Sequence, residues 1–176
     1  MGRFRKHLVV GMAGAVVAAG LASCGSGTET PPPPGSTTPD VVARSPRPEA
    51  VVETGTLRVL STNGPVTVRV EIADTPEARS RGLMGRARLA PDAGMVFLFD
   101  KPTTNRFWMK NTLIPLSIAF WDGTNRILAI RDMVPCREDP CPVYSAGAPY
   151  IGAVEVNRGF FRTHGVKVGD RVELEH

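Results

Sequence analysis

Histidine is nearly missing from this chain: 176 residues hold three, His7, His164 and His176. His7 lies in an N-terminal segment read below as removed, and His176 is the last residue. A Ser–His or Cys–His pair would therefore have to use His164. Placed directly before Gly165, His164 reads as an exposed helix end rather than a catalytic base. Cysteine is as scarce, at Cys24, Cys136 and Cys141. No Cys-x-x-Cys, His-Glu-x-x-His, Gly-x-Ser-x-Gly or phosphate loop occurs, so the sequence implies no cofactor and no metal site. No block of Lys and Arg occurs either. The formal charge of +4 owes much to Arg3, Arg5 and Lys6; without them 18 basic residues face 17 acidic ones. A nucleic-acid partner thereby loses its main support. The longest apolar run, Leu8 to Leu21, falls short of the roughly 20 residues of a membrane-spanning helix. No internal repeat is visible.

That short run has another reading. Met1 to Lys6 is a positive leader, and the apolar run ends in Leu21-Ala22-Ser23-Cys24. The pattern resembles a bacterial lipobox, in which the cysteine thiol takes a diacylglyceryl group and the chain is cut just before it. Residues 1–23 are expected to be a lipoprotein signal peptide, with Cys24 held in a lipid bilayer by more than one acyl chain. Residues 24–55 are rich in Gly, Ser, Thr and Pro, including Pro31-Pro32-Pro33-Pro34. Such a composition buries too little apolar surface to offset chain entropy, so it reads as a disordered tether. The expected location is extracytoplasmic, in the cell envelope.

Residues 56–176 have the texture of one globular domain. Val66, Val68, Val70 and Ile72 alternate with Thr67, Arg69 and Glu71, a half-buried strand. Thr56 to Ser61 precedes it across an Asn63-Gly64-Pro65 turn. Asp74-Thr75-Pro76-Glu77 reads as a helix start capped by Asp74, with Gly82 and Gly85 as candidate stops. Further strands are expected over Met95–Phe99, Ser117–Trp121, Arg126–Val134, Tyr150–Val156 and Arg171–Leu174. Asp122-Gly123-Thr124-Asn125 is a hairpin turn, and Arg158 to His164 a short helical turn. Many short strands and one clear helix predict a mostly-β (α+β) fold, a barrel- or sandwich-like sheet.

Outside the cytoplasm, Cys136 and Cys141 are expected to pair. The loop they close is short, so the bond adds roughly 2 kcal/mol at most. The stretch Arg106 to Leu116 is the densest mixture of aromatic, cationic and amide side chains. Read as a strand, it puts Phe107 and Met109 on one face and Trp108 and Lys110 on the other. Glu155 lies in the strand-like run Ala153-Val154-Glu155-Val156, where a carboxylate either faces solvent or pairs with a cation, Arg81 or Lys110 being candidates. Met84, Met95 and Met109 would suit a soft metal, although methionine is more often core filler.

Arg81-Gly82-Leu83-Met84, Gly94-Met95-x-Phe97-x-Phe99, Phe107-Trp108-Met109-Lys110-Asn111-Thr112, Ile114-Pro115-Leu116, Pro135-Cys136, Tyr144 and Glu155-Val156-Asn157-x-Gly159 follow one another in this order. In these motifs, over about residues 67 to 174, the domain resembles the bacterial and archaeal domain of unknown function 192 family. The resemblance implies a mostly-β single domain, often exported, and no established activity. It points to Arg81, Met84, Trp108, Lys110, Asn111, Thr112 and Glu155 as site positions. Ser117 stands where the family pattern usually has Asp. Three readings stay open at this stage. One is a binding domain for a small polar or anionic ligand or an envelope component, held by Lys110 and Arg81 with Trp108 as a wall. Another is an envelope hydrolase or transferase using Glu155 and Lys110. The third is a passive assembly module.

Overall fold

The computed structural model describes residues 52–176. The signal segment, Cys24 and most of the tether lie outside the described residues. Ordered pairing begins slightly before the expected domain start, because the Ile72 N–H already donates to the Glu53 carbonyl.

The Val/Ile alternation forms the strand it predicts. β1 (Thr54–Ser61) and β2 (Gly64–Ala73) make a hairpin, and β2 leads into a six-residue helix α1 (Pro76–Arg81). The helix cap sits one residue later than expected. Thr75, not Asp74, is extended at φ −96° and ψ 156°, and its hydroxyl accepts from the Ala78 N–H at 3.1 Å. The helix ends at Gly82, the first of the two expected stops, whose φ of 47° is strained for any residue with a Cβ. β3 (Ala93–Thr103) is longer than the expected Met95–Phe99. The Arg106–Leu116 stretch is a strand for two residues only, β4 (Phe107–Trp108), and then turns; Asn111 takes a left-handed φ of 58°. β5 (Leu116–Trp121) and β6 (Ile127–Met133) are joined by the expected hairpin turn. β7 (Val143–Tyr144), which has no sequence signal, pairs with β4 as a small ribbon. β8 (Tyr150–Asn157), a four-residue helix α2 (Phe160–Thr163) and β9 (Arg171–Glu175) complete the domain.

The seven longer strands form one sheet in the order β6-β5-β8-β3-β2-β1-β9. All neighbours are antiparallel except β2 and β3, which α1 joins as a parallel pair. The sheet curls into a half-barrel. At one end its outer strands touch: Arg126 bridges Arg171, and the Val172 N–H donates to the Asn125 carbonyl at 2.9 Å.

Each face of the sheet carries its own core. One cluster contains Leu57, Val68, Val96, Val154 and Val156 with Phe160 and Phe161 of α2. The other contains Met95, Phe97, Ile118, Phe120 and Ala153, covered by Leu83, Met109 and Tyr150 from outside the sheet's middle. Burial on both faces explains why β5, Leu-Ser-Ile-Ala-Phe-Trp, shows no polar alternation: all six residues are buried. The second face is covered by the turn after α1, by segment 105–115 and by the β4–β7 ribbon. Asn157 ties part of this cover down, donating to the Leu89 and Ala90 carbonyls at 3.2 and 2.9 Å.

Candidate functional site

Glu155 sits in β8 in the middle of the sheet. Its register partners are Met95 on β3 and Ile118 on β5. Residues directly opposite share a face, so its carboxyl points into the apolar second face while Val154 and Val156 point to the first. The residue is 5% exposed. Among the described residues no cation lies within salt-bridge distance of it and no side-chain hydrogen bond reaches it, which removes both expected partners, Arg81 and Lys110; solvent reaches its carboxyl only through the cavity described next. Desolvation alone pushes its pKa from 4.5 to about 8.

The carboxyl opens onto a cavity of about 400 Å³ between the sheet and its cover. Arg81, Met84, Trp108, Thr112 and Glu155 all line it. Three elements supply these side chains. The tight turn at Gly82 swings Arg81 and Met84 over the sheet. β3 contributes Phe97 and Phe99, on the same face as Glu155. Segment 105–108 forms the opposite wall, fixed at its start by the Tyr150 hydroxyl, which donates to the Asn105 carbonyl at 3.0 Å. Burial pushes the Tyr150 pKa up to about 12, so it stays a donor.

Two expected site residues fall elsewhere. Lys110 leans over the Trp108 ring at 5.8 Å and pairs with Asp139 at 3.1 Å, beside the linked Cys136 and Cys141, whose sulfurs are 2.05 Å apart. Asn111 is a turn residue whose carbonyl accepts from the Gly85 N–H at 2.9 Å. The strand ends at Trp108 and the chain turns, yet Lys110 still lies beside the Trp108 ring as the period-two reading groups them; what the turn denies it is the cavity. Met95 and Met109 are core residues at 6% and 1% exposure, as the filler reading has them.

Arg79 and Arg106 also line the cavity. Arg79 is engaged by the protein: it donates to the Asp74 and Leu98 carbonyls and lies 4.9 Å from the Phe99 ring centre. Arg81 and Arg106 form no salt bridge among the described residues. The sequence reading passed over Arg106, although it heads the stretch that holds Trp108. Phe97 and Phe99 were legible as a period-two pair, but only the pairing of β3 with β8 places them beside Glu155.

Ser117 bears on a different face. It alternates with Leu116 and Ile118, so it points away from Glu155 and toward α2. Its hydroxyl accepts from the Gly159 N–H at 2.8 Å and donates to Asp132, its cross-strand partner. Asp132 is held below the usual carboxylate range by that hydroxyl foremost, and then by Arg162 and Arg158. The neighbouring strand thus supplies a carboxylate next to the position where the family pattern has one, and the departure leaves the Glu155 cavity untouched.

A family model for DUF192, described as an uncharacterized ACR, matches residues 58–174. The chain belongs to the DUF192 family. No curated protein matches it. Two solved structures resemble this DUF192 domain. One, from Sinorhizobium meliloti 1021, is described as a proposed transcription regulator; it is 33% identical, with a TM-score of 0.67, over 72% of this chain and 97% of its own. The other, a protein of unknown function from Novosphingobium aromaticivorans DSM 12444, is 34% identical, with a TM-score of 0.66, over 72% of this chain and 89% of its own. The matched region makes up nearly all of the Sinorhizobium chain.

Proposed function

We propose that this DUF192 domain binds a small polar or anionic ligand in the Glu155 cavity, on a lipid anchor in the cell envelope. The observation that carries the reading is a buried carboxyl without a protein partner opening into a cavity. Such a group is costly to desolvate unless something satisfies it; water in the open cavity does so in part, and a ligand that displaces that water would have to take over its hydrogen bonds. Unpaired guanidinium groups on Arg81 and Arg106 add fixed donors for an anionic group. Trp108, 49% exposed, offers an aromatic wall.

The anchoring part rests on the sequence: the Leu21-Ala22-Ser23-Cys24 motif and the Pro-rich stretch after it. The Cys136–Cys141 pair fits an oxidising compartment. The hydrolase or transferase reading has less support. Among the described residues Glu155 alone of the carboxylates lines the cavity, so the two-carboxylate scheme of glycoside hydrolysis lacks its second group there, and Lys110 faces Asp139 instead.

The test uses intrinsic fluorescence, because Trp108 lines the cavity while Trp121 is buried in the core. Titrating the full chain in detergent with a panel of small carboxylates, phosphates and zwitterions should give a saturable change that Trp108→Ala abolishes and Arg81→Ala weakens at least tenfold. No saturable change with any member of the panel contradicts the binding reading.

A further inference from the structure

The cavity has two poles of opposite chemistry. At its floor, the Glu155 carboxyl lies on the sheet among Met95, Phe97 and Ile118. At its mouth are Arg81 and Arg106, both exposed and free of salt bridges among the described residues. Arg79 belongs to neither pole, because backbone carbonyls and the Phe99 ring already hold it. A purely anionic ligand satisfies the mouth and gives a buried carboxylate nothing to pair with. A purely cationic ligand suits the floor but must pass two guanidinium groups.

We infer, building on the binding reading above, that the ligand is a small zwitterion, with a primary ammonium group against Glu155 and a carboxylate or phosphate against Arg81 and Arg106. The aromatic walls fit this polarity. Phe97 stands beside the floor, and aromatic rings attract cations, while the Phe99 ring already carries Arg79. The volume of about 400 Å³ admits a molecule of amino-acid size and leaves room for its water.

A proton balance follows. In the empty pocket at neutral pH the carboxyl is protonated, since burial raises its pKa to about 8. Pairing with an ammonium group requires the carboxylate, so binding transfers the Glu155 proton to solvent. The charged groups facing Glu155 are few: the α1 turn presents Arg79 and Arg81, segment 105–112 presents Arg106 with Lys110 turned to Asp139, and β3 and β5 present Met95 and Ile118. Glu155, whose pKa burial moves toward neutrality, therefore sets the pH response of binding.

Calorimetry on the full chain in detergent tests this, with free L-amino acids and phosphoethanolamine as probes and the matching des-amino acids and inorganic phosphate as controls. The expected result is tighter binding of at least one zwitterion than of its des-amino control. Close to one proton is released per ligand at pH 7, read from two buffers of different ionisation enthalpy. Affinity rises nearly tenfold per pH unit from 6 to 7.5. Glu155→Gln, which keeps the shape of the side chain, should cost at least tenfold in affinity and flatten the pH profile, while Arg81→Ala should weaken binding without flattening it. Des-amino acids or phosphate binding as tightly as the zwitterions, without proton release, would overturn the inference and leave the pocket reading standing. So would affinity that falls as pH rises, the mark of a neutral Glu155 donating to an anion. Binding by no amino acid and no phosphoethanolamine also overturns it. Loss of all saturable signal, controls included, sinks the pocket reading with it.

Discussion

Glu155 imposes a desolvation cost on this fold, and the cost depends on pH. Its folded pKa of about 8 lies above the unfolded value near 4.5, so between those values the folded chain binds more protons than the unfolded one. The favourable state is the protonated one: Glu155's own contribution to stability is full below pH 4.5 and is lost as pH rises toward 8. Glu155→Gln removes that loss. The variant should match the parent near pH 4 and exceed it by roughly 3 kcal/mol at pH 7, at about 1.4 kcal/mol per unit, as denaturant unfolding at the two pH values would read. A variant less stable than the parent at pH 7 would mean that the carboxylate has a partner after all. Ser117 is the converse case. Ser117→Ala leaves the Gly159 N–H without its acceptor, costing about 1–2 kcal/mol, with no change in fluorescence-detected binding, because the residue faces away from the cavity. These two positions also mark where residue-level reading stops. Glu155 between valines allowed pairing or exposure, and only the faces of β3 and β5 on either side of it show a third outcome, a pocket floor.

At the scale of elements, the strands were legible wherever one rule governed them. The β2 alternation and the turn at Asp122–Asn125 needed only local chemistry. β7 did not show, because two residues carry no period, and its pairing with Phe107 and Trp108 is a contact across sequence. The parallel pairing of β2 with β3 was equally hidden, being set by the crossover through α1 rather than by either strand. Segment 106–116 kept the faces its period gave it, Phe107 with Met109 and Trp108 with Lys110, but its strand ends at Trp108, which no local rule marked. The α1 turn that brings Arg81 and Met84 to the cavity rests on the Thr75 cap. Thr75→Ala should lower stability by about 1 kcal/mol and weaken binding as the turn loosens, measured by thermal unfolding and titration together, whereas Asp74→Ala should leave the cap intact. Gly152 fixes a second element. A Cβ there would lie 2.2 Å from the Trp121 indole, so Gly152→Ala should destabilise by about 3 kcal/mol or more; unchanged unfolding would show that β5 and β8 separate easily.

Across the whole molecule, a curled sheet buries both faces, one inside the curl against α2 and one beneath a layer of turns. The second cover is not fully closed, and the opening holds five of the seven positions to which the family resemblance pointed. The same motifs that mark family membership, Arg81 to Met84, Phe107 to Thr112 and Glu155 to Gly159, therefore each send at least one side chain to one cavity, while Lys110 pairs with Asp139 and Asn111 with Gly85. On the proposed anchor the domain would present that cavity to the envelope space at the end of a proline-rich tether. The central claim reduces to the state of one group. Carbon NMR of the full chain labelled at glutamate carboxyls, titrated from pH 4 to 10, reads it directly. The account predicts one carboxyl, absent from Glu155→Gln, that titrates near 8 and shifts downward when a zwitterionic ligand binds. A Glu155 resonance that titrates near 4.5 in the free protein would contradict it.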